Sequence, residues 1–284
     1  MNVGFRIPGA LSRLPLSDLA AWAAREGFGS IDLGSPDPER AATLTGAGLA
    51  LGTCDLGGTR ELLSAEQATR SKGIDTGIAA IEAMADAGFT KAFCTFCPPD
   101  SSQSRRVSFE HWKASFPEVA KAAARRGVRI AVEGWPGPNN SALGVTPETL
   151  RAMFATVSGP EFGINYDPSH LVRVGVDYQR FLREFGGRVI HAHGKDTELD
   201  SEGTYLYGNL GPSFDKPVFC GGGDWRYCIP GEGSVNWAWV CGELNRHGFE
   251  GTIAIELEDF RYNGTEAGDK EGLLRAKAHL EPHL

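Results

Sequence analysis

No run of about 18 apolar residues occurs anywhere in the chain, and its opening, Met-Asn-Val-Gly-Phe-Arg-Ile, lacks a basic segment leading into an apolar one. A membrane span and a secretory leader are therefore not expected, and the sequence reads as cytoplasmic. Positive charge is also scarce: 28 Lys and Arg stand against 36 Asp and Glu, a formal charge of -8. Nucleic-acid binding rests on clustered basic side chains, so nucleic acid is excluded as an expected partner. Six cysteines, Cys54, Cys94, Cys97, Cys220, Cys228 and Cys241, are too thinly spread for a disulfide-stapled scaffold, so reduced thiols are expected. Cys94 and Cys97 form a Cys-x-x-Cys, but no second pair stands at zinc spacing, and Pro98-Pro99 follows where a redox motif would open a helix.

What the sequence does contain is a recurring unit: an amphipathic run, a glycine, an apolar residue, then a short β-rich run ending in polar residues. Gly27-Phe28 leads to Ser30-Ile31-Asp32-Leu33, Gly88-Phe89 to Lys91-Ala92-Phe93-Cys94, Gly127-Val128 to Ile130–Glu133, and Gly248-Phe249 to Thr252–Glu256. Each glycine stands where a helix C-cap needs positive φ, which marks a helix-to-strand junction. Helical signatures precede them. Ser64 and Gln67 fit a capping box before Ile74, Ile78 and Ile81; Ser108 is placed to cap a helix carrying Phe109, Trp112, Phe116 and Val119, with Pro117 expected to kink it. Thr146-Pro147 reads as N-cap and N1, and Asp177 and Asn236 as caps of helices whose aromatic residues should be core.

Eight β-rich runs result: 2–6, 30–33, 49–53, 91–96, 128–133, 163–167, 188–193 and 252–256. Separated by helical patterns, they predict parallel strands joined by right-handed crossovers and, at 284 residues, a (β/α)8 barrel in one domain, 1–284. A doubly wound open sheet fits less well, because no Gly-x-Gly-x-x-Gly follows the first strand. Residues 197–230, after the seventh strand, have neither helical nor strand period and are rich in Gly, Tyr and Asp. An irregular connection of that length is expected to be a lid.

Side chains at the C-terminal strand ends of such a barrel face one mouth. The last four strands end in Glu133, Asp167, His193 and Glu256. Three carboxylates beside an imidazole would repel unless a cation neutralises them, and an oxygen-rich set with one nitrogen points to one divalent ion, Mn²⁺ before Mg²⁺ or Co²⁺. His191 is expected on the opposite strand face from His193, packed or supporting. His170, three residues past Asp167, is expected to touch substrate, as are Lys195, Trp135 and Asn139 near the strand ends and Trp225 and Arg226 on the insertion.

The runs Val-Glu133-Gly, Asp167-Pro-Ser-His170, His191-Ala-His193-x-Lys195-Asp196-Thr197, Pro230-Gly-Glu-Gly-x-Val-Asn-Trp237 and Ile-Glu256-x-Glu-Asp resemble the xylose-isomerase-like sugar phosphate isomerase/epimerase superfamily over essentially the whole chain. The resemblance implies that Glu133, Asp167, His193 and Glu256 ligate the metal, that Glu133 and Glu256 also move the proton, and that His170 contacts a substrate oxygen. The ketose 3-epimerase subgroup carries a Glu six residues past the first ligand and an Arg six past the ligand His; Asn139 and Leu199 stand there instead. The grip on substrate is altered, with Lys195, Arg173 or Arg226 as substitutes.

The leading expectation is therefore a metal-dependent isomerase or epimerase of a small carbohydrate, acting through an enediolate. A metal-dependent lyase or dehydratase on a keto-sugar, keto-glycoside or inosose shares the first proton abstraction. A phosphodiesterase of endonuclease-IV type would need several metals and a basic surface, and a binding protein would not need two carboxylates able to act on one substrate. The partner is a small-molecule carbohydrate, with homo-oligomerisation left open.

Overall fold

The computed structural model describes residues 1–284. Eight parallel strands close into a barrel: β1 (Asn2–Arg6), β2 (Ser30–Leu33), β3 (Ala50–Asp55), β4 (Lys91–Cys94), β5 (Arg129–Glu133), β6 (Phe162–Tyr166), β7 (Val189–Gly194) and β10 (Thr252–Ile255). Consecutive strands are neighbours, and β1 pairs with β10 from Asn2↔Thr252 to Phe5↔Ile255 to complete the ring. Closure removes the open-sheet alternative. It also brings the ends of β5, β6, β7 and β10 to one rim, so the four ligand-type residues converge. No helix is long and apolar enough to cross a membrane.

The glycine junctions behave as their sequence context requires. Gly27, Gly88, Gly127 and Gly248 have φ of 76°, 85°, 67° and 73°, a region that favours the residue without a Cβ. The outer helices begin on side-chain caps where the sequence supplies them: Thr146 accepts from Thr149 N–H before α5 (Pro147–Thr156), Asp177 from Gln179 and Arg180 before α7 (Tyr178–Phe185), and Asn236 from Trp239 before α9 (Trp237–Arg246). Two caps differ from expectation. Helix α3 (Gln67–Asp86) starts after Glu66, and Ser64 instead accepts from Glu66 N–H, so the capping box does not form. Helix α4 (Arg105–Arg126) starts one turn earlier than expected, capped by Ser104, which leaves Ser108 buried inside it; the helix continues past Pro117 as one element.

The core lies between the barrel and these helices. Trp112 and Phe116 of α4 stack at 4.9 Å, and Phe116 meets Phe162 of β6 at 4.9 Å, a cluster that pins α4 to the sheet. Each such fully buried aromatic contributes about 1.5–3 kcal/mol through area alone. Cys94 and Cys97 are buried free thiols, and Cys97 packs with Ala142 and Val145, which accounts for them as core.

The connection at 197–230 is not irregular throughout. Two short strands, β8 (Asp196–Leu199) and β9 (Trp225–Cys228), pair antiparallel, and helix α8 (Ser201–Tyr207) lies between them, capped by Asp200. Four-residue strands of mixed composition carry no readable alternation, which is why the sequence does not disclose them. The ribbon is held at its base by Asp196, whose buried carboxylate accepts from Thr197, Gly231 and Val235 N–H at 2.8, 3.2 and 3.0 Å and from Trp237 Nε1 at 3.1 Å. A Cβ on Gly233 would stand 2.2 Å from Asp196 Oδ1. The run Pro230–Trp237 thus exists to wrap one carboxylate, and its glycine is there because the carboxylate comes so close.

Candidate metal centre

Glu133 ends β5, where it pairs in register with Asn165 of β6, and Asn165 Nδ2 donates to Glu133 Oε1 at 2.8 Å. Asp167 follows β6 and is the N-cap of helix α6 (Pro168–Arg173): its Oδ1 accepts from Ser169 N–H at 2.9 Å and Ser169 Oγ at 2.6 Å. The cap uses one oxygen and leaves Oδ2 buried with no hydrogen-bond partner, aimed at the cluster. His193, on β7, stacks on Phe93 at 5.3 Å, which fixes the plane of its ring. Glu256 follows β10.

One ligand-type atom from each of Glu133, Asp167, His193 and Glu256 falls within 4.8 Å of the others. From His193 Nδ1 the distances are 2.7 Å to Glu133 Oε1, 3.4 Å to Glu256 Oε2 and 3.9 Å to Asp167 Oδ2. Ligands at 2.0–2.1 Å from an octahedral centre lie about 3 Å apart along its edges, so these separations suit one divalent ion. His193 Nδ1, the ring nitrogen that faces the carboxylates, is like Asp167 Oδ2 buried and without a hydrogen bond. Unsatisfied buried acceptors of this kind are costly in an all-protein site and expected of ligand atoms. The residues present therefore fit a divalent metal.

The cluster's negative charge gathers cations. Lys195 Nζ, buried, lies 3.2 Å from Asp167 Oδ2 and 3.0 Å from Glu258 Oε2 and pairs with Glu256 Oε2. Burial alone would lower the Lys195 pKa, but Asp167, Glu256 and Glu258 hold it well above the ordinary lysine value. Burial and Glu256 push Glu133 up; His193 and His170 outweigh them and hold it well below the usual carboxylate range. Glu256 is likewise pushed up by burial and pulled further down by Lys195 and His193. Both carboxylates are thus held ionised and basic groups are close at hand.

His170, in α6, joins the cluster, its Nε2 3.4 Å from both Glu133 Oε2 and Asp167 Oδ2 and 3.3 Å from Lys195 Nζ. Its Nδ1 meets Tyr227 Oη at 2.6 Å, and Arg173 Nη1 donates to the same oxygen at 3.0 Å. Tyr227 comes from β9, so the ribbon reaches the site through this phenol. Trp225, two residues earlier on the same face, stands beside Tyr227 at 4.8 Å and under Arg173 at 4.3 Å, at the edge of the cluster. Arg226 points the other way: it pairs with Glu198 at 2.5 Å and Asp259 at 3.2 Å and clamps the ribbon to the segment after β10. Its expected position against substrate is corrected by that alternation. Trp135 packs on the small cluster of Cys97, Ala142 and Val145. Asn139 is exposed, with φ 53°, and donates to Ser101 Oγ at 3.1 Å rather than facing the ligands.

His191 also corrects expectation. Residues two apart in a strand share a face, and His191 and His193 both point inward, their rings 5.8 Å apart. His191 Nε2 lies 2.9 Å from Asp32 Oδ2. Burial would raise the Asp32 carboxyl, but His191 and then His193 and the Thr53 N–H lower it to about 2. Asp32 was not among the sequence-read candidates, although its place as the last polar residue of the second β-rich run marks it. Arg6, Glu258 and Tyr227 were missed too. Arg6, at the end of β1, lies over Phe93 at 4.8 Å and pairs with Asp55 at 2.8 Å.

Of the four ligand-type residues only Glu256 is partly exposed, at 17% of its side chain. A cavity of about 420 Å³ lined by Arg6, Arg13, Phe219, Glu256 and Glu258 opens onto it.

The comparisons with known proteins agree with this architecture. YfiH, an uncharacterized protein of Bacillus subtilis, is 33% identical over 166 residues, 57% of this chain and 49% of that protein. An inosose dehydratase of Bacillus licheniformis is 25% identical over 179 residues, 62% of this chain and 55% of that enzyme. The chain thus spans about half the length of the curated relatives it matches. The crystal structure of a D-psicose 3-epimerase in the presence of D-fructose superposes with a TM-score of 0.72 over 100% of this chain and 99% of that one, at 15% identity, which shows a shared fold. A sequence model of the xylose isomerase-like TIM barrel matches residues 20–280, and with that match over nearly all of a closed eight-stranded barrel the chain belongs to the xylose isomerase-like TIM barrel family.

Proposed function

We propose that the protein is a divalent-metal-dependent isomerase or epimerase of a small carbohydrate: a ketose, keto-sugar or keto-inositol. The observation that carries this reading is the convergence of Glu133, Asp167, His193 and Glu256, with Asp167 Oδ2 and His193 Nδ1 buried and unpartnered. Mn²⁺ is favoured by the three-oxygen, one-nitrogen set, with Mg²⁺ or Co²⁺ as alternatives. An ion held by Glu133, Asp167, His193 and Glu256 would supply Lewis-acid polarisation of a substrate carbonyl. Glu133 and Glu256, both held ionised, are the bases for the carbon next to the carbonyl. One removes the proton; the other, approaching through the opening beside Arg6 and Glu258, returns it when a centre is inverted. His170, braced by Tyr227, is placed to donate to a substrate oxygen, and Asn165 holds Glu133 in one rotamer. The ribbon and helix α8 act as a lid over this mouth.

A second reading, elimination of a β-substituent from a keto-sugar or inosose, has its own support. The Lys195 ammonium lies beside Glu256 and Glu258, where it can hydrogen-bond a departing hydroxyl, and three relatives are inosose dehydratases.

The test is solvent exchange. Metal-loaded protein in D₂O is incubated with a panel of ketoses, keto-inositols and hydroxypyruvate. Deuterium should enter the carbon next to the carbonyl of at least one compound, and product structure then separates isomer, epimer and dehydration product. Turnover with no deuterium in product or recovered substrate overturns the two-carboxylate mechanism in favour of hydride shift. Absence of both exchange and turnover across the panel overturns the assignment to these substrate classes.

A further inference from the structure

His193 has two ring nitrogens in two different surroundings. Nδ1 faces Glu133, Glu256 and Asp167. Nε2 faces Asp32 Oδ2 at 3.8 Å and makes no hydrogen bond. An imidazole that gives Nδ1 to a cation carries its proton on Nε2, and that N–H, buried, needs an acceptor. The one it faces is Asp32.

Asp32 is built to serve. The register between β2 and β3 shifts between Ile31 and Leu33, at Asp32 itself, and its side chain is fully buried. Thr53 N–H donates to Oδ1 at 2.8 Å, and His191 Nε2 lies 2.9 Å from Oδ2. A Cβ at position 52 would stand 1.9 Å from Oδ1, so Gly52 is what lets the carboxylate sit there. Two of its contacts hold the carboxylate in place, and the remaining approach to Oδ2 is directed at His193. A shift of about 1 Å brings the 3.8 Å separation to hydrogen-bond length.

We infer that Asp32 is a positioning residue of the metal centre, which holds His193 as the Nε2–H tautomer with Nδ1 turned to the ion, and that His191 is the brace that keeps Asp32 in place. The inference rests on the metal reading above but concerns residues outside the ligand set. Asp32, His191 and His193 also satisfy the spacing for a second ion, but both Asp32 oxygens already have protein partners, Oδ1 in the Thr53 N–H and Oδ2 in His191 Nε2, whereas Asp167 Oδ2 and His193 Nδ1 have none.

The experiment is a Mn²⁺ titration of the metal-free protein, with free Mn²⁺ read by electron paramagnetic resonance, for wild type and Asp32→Asn. Loss of a carboxylate partner behind a ligating histidine typically weakens metal binding about 10–100-fold. The expected result is one ion per wild-type chain, still one in Asp32→Asn, and an affinity lower by about that factor. Equal affinities would overturn the inference and leave the metal reading standing; a wild type that binds no Mn²⁺ removes the metal reading itself. Two ions in wild type, with only the weaker lost in Asp32→Asn, would replace positioning by a second site. Should Asp32→Asn fail to fold, the ¹⁵N-histidine spectrum of Mg²⁺-saturated wild type decides: His193 must carry its proton on Nε2, and a proton on Nδ1 would overturn the assignment.

Discussion

Asp167 divides its oxygens, one to the cap of α6 and one to the cluster, so the helix that carries His170 and the site it serves share an anchor. Glu133 and Glu256 cap no helix; their partners are Asn165, His170 and His193 for Glu133 and Arg6, His193 and Lys195 for Glu256, all at the barrel mouth. Replacing either by Gln should therefore leave the fold intact and remove a base. At saturating Mn²⁺ we expect kcat to fall by about 10²–10⁴-fold for Glu133→Gln and for Glu256→Gln, measured on whichever panel compound exchanges. A single variant that retains deuterium exchange but no longer inverts the centre would identify the base on the other side. A variant with bound metal and unchanged kcat removes that carboxylate from the proton path. Which carboxylates gather was legible, because strand-end position is a sequence property once the barrel is assumed. What supports them was not, because Asp32 meets His193 across strands that lie 161 positions apart in the chain, a partnership no local pattern records.

At the scale of elements, four of the eight strands, β2, β4, β5 and β10, were legible because each follows a positive-φ glycine at a helix end. Caps and the insertion were less so. Ser64 and Ser108 each stand near a helix start, but the residues that begin the helices are Glu66 and Ser104, and helix ends are set by tertiary fit to within a turn. The ribbon β8–β9 was hidden by its brevity, and its packing explains why Arg226 faces Asp259 while Tyr227 faces His170. Asp196 holds that ribbon and the return to α9 together through four N–H groups. Asp196→Ala strands those donors, at about 1–3 kcal/mol for each that water does not reach. We expect a loss of about 3 kcal/mol or more in urea denaturation, with Asp196→Asn between it and wild type because its amide oxygen still accepts. A change below about 0.5 kcal/mol, the range of ordinary surface substitutions, would show that the staple is not needed.

On the scale of the whole molecule, the barrel concentrates three carboxylates, from Glu133, Asp167 and Glu256, at one rim of a chain whose net charge is already -8. Within the protein the cluster is compensated by Lys195 and His193, and Asp167 Oδ2 still lacks a hydrogen bond. The unfolded chain offers no assembled site, so the free energy of metal binding is added to that of folding. At a free Mn²⁺ concentration a hundredfold above Kd the added stability is about 2.7 kcal/mol. At roughly 2 °C per kcal/mol for a large domain, Tm should rise by about 5 °C. Differential scanning calorimetry with chelator and then with added Mn²⁺ reads this directly. Two variants give the comparison its meaning: Asp167→Ala and His193→Ala should show no Mn²⁺-dependent rise, and neither should retain the bound ion. Asp167→Ala should in addition lower the chelated Tm, because it removes the cap of α6 as well as a ligand, an effect of about 1 kcal/mol. His193→Ala carries no cap and so separates the ligand role from the structural one. A Mn²⁺-dependent shift of wild-type size in both variants would mean that the ion binds elsewhere on an acidic surface, and the four-residue centre would have to be given up.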